Sequence, residues 1–235
     1  MNKPCEVFKK VLSKGNIRIK LLGDSITHGL GGVGFEQDGE PIVEGFARNP
    51  NGYCWAKLFK DYMQEKYGAE VVNNACTGTD IQFIIKHFDT LVDEDDDIII
   101  CAIGTNNRNY YHGQWDHTPT REEYGRDFYN HILNLYDMTE KAGKEIIFIA
   151  NTPVLPRREE DGPTWIMLLH MDDINAIYKK AAEKAGFPLI SLYELFNEYV
   201  DKTDVDPEIL YWDGGHPSDR GYDVIFELLV KELKL

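Results

Sequence analysis

Ile98-Ile99-Ile100-Cys101-Ala102-Ile103 is an apolar run with no polar alternation. A strand with one wet face alternates, whereas a strand covered on both faces does not. The run therefore predicts a central strand of a parallel sheet, set within residues 97–103. Four more short runs, at 17–22, 70–73, 145–150 and 188–191, repeat the signal. Between them lie segments with helical spacing. Residues 53–67 carry Trp55, Leu58, Phe59 and Tyr62, and residues 121–142 carry Tyr124, Phe128, Ile132 and Leu135. Residues 172–185 run up to Gly186, a helix stop. A last helix opens near Ser218, a good N-cap, with Tyr222, Ile225, Phe226 and Leu229 on one face. Strand alternating with helix predicts a three-layer α/β/α domain with right-handed crossovers around a five-stranded parallel sheet. Neither a repeat nor a linker interrupts it, so residues 1–235 read as a single domain.

Charge and cysteine usage narrow the partners. The formal net charge of -15 repels nucleic-acid phosphates and anionic membrane surfaces, which predicts no nucleic-acid partner. No segment approaches the length of apolar chain that membrane insertion needs. Cys5, Cys54, Cys76 and Cys101 show neither a C-x-x-C pair nor metal-ligand spacing. With no leader pattern at the N-terminus, reduced thiols in a cytoplasmic protein are the simplest expectation. Oligomeric state is not legible.

Gly23-Asp24-Ser25 follows directly on the first strand. A serine in such a turn sits at the C-terminal edge of the sheet, where open α/β sheets place their chemistry. Its hydroxyl is a weak nucleophile until a base takes the proton. Among the seven histidines, only His216 has a carboxylate three residues before it in a glycine-containing turn, Asp213-Gly214-Gly215-His216. Asp213 can hold the imidazole while His216 serves Ser25. Donors for an oxyanion are available in two further turns: Asn73-Asn74-Ala75-Cys76-Thr77-Gly78 after the second strand and Gly104-Thr105-Asn106-Asn107 after the third. Asn106 alone could equally be a turn asparagine.

Other patterns carry less. Gly29-Leu30-Gly31-Gly32-Val33-Gly34 matches G-x-G-x-x-G, yet it neither begins at the strand end nor opens a helix, so it reads as a loop. His112, Asp116 and His117 sit on an unanchored loop and predict no metal site. Tyr110, Tyr111 and Trp115 on that loop either wall a pocket or pack the loop down. The stretches 30–51 and 108–120 exceed ordinary loop length and are the expected determinants of substrate. The acidic run 93–97 lacks calcium-loop spacing and reads as a solvated turn between helix and strand.

In the order and placement of these blocks the chain resembles the SGNH hydrolases of the GDSL esterase/lipase superfamily. Gly23-Asp24-Ser25 resembles the block that carries the nucleophile, Ala75 stands at the position of the second block's glycine, Asn106 matches the asparagine of G-x-N-D, and Asp213 and His216 match D-x-x-H. There are two departures: Ala75 replaces glycine, and Asn107 replaces an aspartate. The resemblance implies a flavodoxin-like SGNH-hydrolase fold and ester cleavage through an acyl-enzyme, without metal or organic cofactor. It implies Ser25, Asp213 and His216 as the catalytic triad, and Ser25, Ala75 and Asn106 around the oxyanion. Asp24, Asn107, Tyr111 and Trp115 are the candidates for substrate contact. The expected substrate is a short acyl ester, an acetyl group on a carbohydrate or other small molecule. A lysophospholipase-like or general carboxylesterase is the alternative within the class, and a silent carbohydrate-binding module the alternative outside it.

Overall fold

A computed structural model describes residues 3–162 and 164–235. In chain order it forms α1 (Lys3–Leu12), β1 (Arg18–Gly23), α2 (Ser25–His28), β2 (Pro41–Val43), β3 (Phe46–Ala47), α3 (Trp55–Tyr67) and β4 (Glu70–Asn73). There follow α4 (Ile81–Lys86), α5 (Phe88–Leu91), β5 (Ile98–Ala102), β6 (Asn109–Tyr111), α6 (Arg121–Lys141) and β7 (Glu145–Ala150). The chain then adds β8 (Trp165–Met167), α7 (Met171–Ala185), β9 (Leu189–Ser191), α8 (Leu192–Thr203) and α9 (Asp219–Leu233).

The main sheet has the order β4-β1-β5-β7-β9, every pair parallel. Alternate residues of its strands enter two separate cores. Ile98, Ile100 and Ala102 join Phe8, Trp55, Phe196 and Tyr222, from α1, α3, α8 and α9, on one face. Ile99 and Cys101 join Ile84, Phe128 and Tyr178, from α4, α6 and α7, on the other. The unbroken apolar run thus feeds both cores at once, which is the three-layer arrangement expected from the sequence.

Strand order reverses between β1 and β5, and the crevice at that point is where such sheets bind ligands. Hydrogen bonds beyond the strands hold this edge together. Asn74 N–H reaches Leu21 O at 2.9 Å and Cys76 N–H reaches Gly23 O at 3.0 Å, so the turn after β4 continues along β1. A side chain at Gly23 would begin 2.5 Å from Ala102 O, so only glycine lets β1 and β5 end this close together.

Several elements differ from expectation. Residues 30–51 and 108–120 are not structureless: β2 and β3 form a hairpin, and β6 pairs antiparallel with β8. Helices α1 and α8 were not foreseen, and the helix expected from Tyr53 starts at Trp55. The acidic run is only partly solvated. Asp96 is buried, and the wholly buried Lys20 of β1 places its ammonium 2.8 Å from Asp93 Oδ2 and 3.5 Å from Asp96 Oδ2. Arg18 pairs with Asp95 at 2.6 Å. Asp93, Asp95 and Asp96 cluster closely enough to hold a cation, but these two side chains already supply the positive charge. Among the described residues no helix is long and apolar enough to cross a membrane.

Candidate active site

The turn after β1 is built to present Ser25. Asp24 is extended and N-caps α2, its Oδ1 accepting the Ile26 N–H at 3.0 Å. Ser25 is the first helical residue, and Gly29, left-handed at φ 106°, ends the helix after one turn. The hydroxyl therefore leaves the sheet edge in a fixed direction.

His216 arrives from the far end of the chain. Tyr211 and Pro217 form an antiparallel bridge, and Trp212 N–H donates to His216 O at 2.8 Å, closing the Asp213–His216 loop. Ser218 then caps α9, as its sequence predicted. Within the loop, Asp213 Oδ1 accepts N–H bonds from Gly215 at 2.9 Å and His216 at 2.8 Å. Its Oδ2 lies 3.0 Å from His216 Nδ1, and His216 Nε2 lies 2.9 Å from Ser25 Oγ. A carboxylate only accepts, so Nδ1 carries the proton and Nε2 is left to accept from the serine. Partial burial works to raise the Asp213 pKa, but the His216 N–H, the His216 ring and the Gly215 N–H overcome it and hold the carboxyl at about 2.

Asn106 lies in a short 3₁₀ turn after β5 and donates through Nδ2 to Thr79 O at 2.8 Å. The amide has a second N–H to offer. Ala75 is placed otherwise than its oxyanion role requires: it is buried, and its N–H is already donated to Asn73 Oδ1 at 3.0 Å. Its backbone lies outside the left-handed region, so alanine is tolerated there without strain.

Two candidates for substrate contact prove to be scaffold. Asp24 is fully buried, and its Oδ2 accepts from Asn151 at 3.0 Å. Burial pushes its carboxyl up to about 6 against the Ile26 N–H, the Thr105 contacts and the charge of His216. Asn107 is buried too, accepting from Ile81 N–H at 3.1 Å and donating to Gln82 Oε1 at 2.8 Å at the start of α4. Neither side chain has a surface to offer. Tyr111 is exposed and packs on Trp165, while Trp115 leans on Tyr124 as part of the core's rim. The loop histidines make ring contacts, His112 with Tyr110 and His117 with Trp115. In the glycine-rich loop, a side chain on Gly31 would begin 2.5 Å from Pro217 O, so this loop packs on the His216 segment and opens no helix.

Three residues escaped the sequence reading. Asn151, at the end of β7, donates to Asp24 Oδ2 and, at 2.8 Å, to Thr105 Oγ1, joining the ends of β1, β5 and β7. His28 donates from Nε2 to Ala47 O at 3.0 Å and accepts at Nδ1 from the Thr77 hydroxyl at 2.8 Å, tying the β2–β3 hairpin and the turn after β4 to α2. Burial depresses its pKa despite the Ala47 contact. Arg158 pairs with Asp213 Oδ2 from a loop whose Leu155 N–H also reaches Gly214 O at 2.7 Å. Only Asn151 had a sequence signal, a turn-forming residue directly after an apolar strand.

The sequence pattern of the GDSL-like lipase/acylhydrolase family matches residues 21–224, which takes in both ends of this hydrogen-bonded chain. The protein belongs to that family. Within it, the isoamyl acetate-hydrolyzing esterase of Schizosaccharomyces pombe is 25% identical over 233 residues, 97% of this chain and 79% of that protein. Among solved structures, the acetylxylan esterase of Geobacillus stearothermophilus aligns with TM-score 0.67 at 20% identity, covering 94% of this chain and 95% of that one. An alpha/beta hydrolase enzyme from the metagenome of Lake Arreo, Spain, aligns with TM-score 0.68 at 20% identity over 94% and 96%. These structures share the fold, and the family makes the chain a GDSL-type carboxylic ester hydrolase.

Proposed function

We propose that this GDSL hydrolase cleaves short acyl esters, acetates above all, of a carbohydrate or other small alcohol, with Ser25 as nucleophile. The observation that carries the reading is the continuous chain Ser25 Oγ, His216 Nε2, His216 Nδ1, Asp213 Oδ2, with steps of 2.9 and 3.0 Å. Ser25 attacks the acyl carbon as His216 takes its proton, and Asp213 holds the ring and stabilises the imidazolium. His216 returns the proton to the departing alcohol oxygen. Water, deprotonated by the same imidazole, then releases the acid and restores the serine.

For the oxyanion, the Ser25 N–H and the second N–H of Asn106 remain as candidates. In the turn after β4, Ala75 is engaged with Asn73, and Gly78 is the better donor. Gly78 is exposed at φ 76°, and a side chain there would project into open space. Preference for acetate draws support from the named substrates of the two esterase relatives, isoamyl acetate and acetylxylan.

The test is hydrolysis of p-nitrophenyl acetate by purified protein, with Ser25→Ala as control. Turnover is expected to fall by about 10⁴-fold or more in the variant. Hydrolysis that survives Ser25→Ala would overturn the assignment, and an acyl-chain series with a long-chain optimum would overturn the preference for acetate. Asn106→Ala should cost about 10²-fold or more in turnover.

A further inference from the structure

Among the described residues five large hydrophobic side chains stand exposed, and the two most open are Val33 at 73% and Trp212 at 62%. Trp212 borders His216. The Trp212 ring centre lies 6.4 Å from the imidazole, and its Cβ lies 3.2 Å from where a side chain on Gly31 would begin. Val33, two residues further along that loop, donates its N–H to Asp219 Oδ1 at 2.9 Å, at the start of α9. The glycine-rich loop thus packs on the His216 loop, and the exposed Trp212 indole emerges beside the imidazole.

Leaving an indole in water forgoes the stabilisation that burying so large a side chain would bring. The backbone of Trp212 explains its position, since its N–H closes the His216 loop, but nothing in that role calls for an indole. The side of the site settles what the ring meets. In the proposed mechanism His216 returns its proton to the leaving oxygen, so the alcohol half of the ester must lie against the imidazole. The acyl half lies toward the oxyanion donors, in the turns after β4 and β5.

We infer that Trp212 is a platform for the alcohol half of the ester, and that it takes a ring with one apolar face, such as a pyranose. An equatorially substituted pyranose presents axial C–H groups to an aromatic face and its hydroxyls to water at the rim. This rests on the proposed hydrolase reading, and it adds where the alcohol binds and what shape it has.

The experiment compares the unsubstituted enzyme, Trp212→Ala and Trp212→Phe on ethyl acetate and on acetylated methyl xylopyranoside. Trp212→Ala should raise KM for the xyloside more than for ethyl acetate, the two effects differing by about threefold to tenfold, with Trp212→Phe recovering most of the difference. Thermal unfolding of both variants should stay close to that of the unsubstituted enzyme, because the ring is exposed. Equal losses on the two substrates would mean that the ring acts through His216, and no loss on either would mean that no alcohol binds there. A fall in oligomeric state on substitution, with KM unmoved, would assign the patch to a second copy of the chain. Each of these three results overturns the platform. Ser25-dependent hydrolysis of ethyl acetate by the unsubstituted enzyme reports separately on the hydrolase reading, so the two failures can be told apart.

Discussion

Asp213 serves two donors through one oxygen. Its Oδ2 meets both His216 Nδ1 and the Arg158 guanidinium, while Oδ1 is occupied by two backbone N–H groups. Arg158 therefore offsets part of the negative charge that would stabilise the imidazolium. Besides Asp213 and Arg158, Ser25, Trp212 and, at longer range, the buried Asp24 face this ring. Arg158→Gln should move the acid limb of the kcat/KM profile to higher pH, a modest shift because the guanidinium is half exposed. Arg158→Lys should largely restore the profile; a limb that stays in place would leave Arg158 a merely structural role. The Asp213 carboxyl does not set that limb. Its folded pKa is depressed from 3.8 to about 2, so the stability it contributes is present above pH 3.8 and is lost as pH falls toward 2. Asp24 has the opposite sign. Its folded pKa is raised from 3.8 to about 6, so its contribution is full below pH 3.8 and is lost as pH rises through 6. Asp24→Asn stays neutral throughout, and asparagine is also a good N-cap. In urea unfolding, the stability of the variant relative to the parent should shift in the variant's favour from pH 4 to pH 7, by on the order of 3 kcal/mol at most. A difference that does not change with pH would contradict this.

At the scale of elements, β1 carries both the serine turn and the buried Lys20, whose ammonium is held by the acidic turn before β5. Lys20→Met would leave the buried Asp96 with Arg18, at 3.4 Å, as its remaining cation. Urea unfolding should show a loss of about 3–5 kcal/mol, and adding Asp96→Asn should recover much of it. A loss below about 1 kcal/mol would mean that Arg18 suffices. The five main strands were legible because each is a short apolar run bounded by polar residues, and α3, α6, α7 and α9 because each repeats its apolar face over several turns. What was missed has a physical reason in each case. Ser191 is at once the last residue of β9 and the N-cap of α8, accepting from Glu194 N–H, so strand passes into helix with no loop to mark the change. The β6–β8 ribbon pairs segments more than fifty residues apart, a contact that periodicity does not encode. The acidic turn looked solvated because the lysine it neutralises lies in another strand.

Over the whole molecule, the motifs located the edge of the sheet where the chemistry lies but not the burial of each polar group. Asp24 and Asn107 stand beside the motif residues in sequence, yet their side chains turn inward to bind α2, β7 and α4. Trp212 adjoins Asp213 and turns outward. Neighbours in sequence thus divide between framework and surface according to which way the backbone turns, and only the tertiary structure decides it. The Ser25–His216 hydrogen bond joins residues 191 positions apart. On the proposed mechanism, an intermediate in which β1 has formed but α9 has not docked holds a serine without a base, and it is inert toward esters. Turnover can then serve as a folding assay: its recovery during refolding times the joining of the two ends of the chain at one site, an event that far-UV signals from early helices do not report.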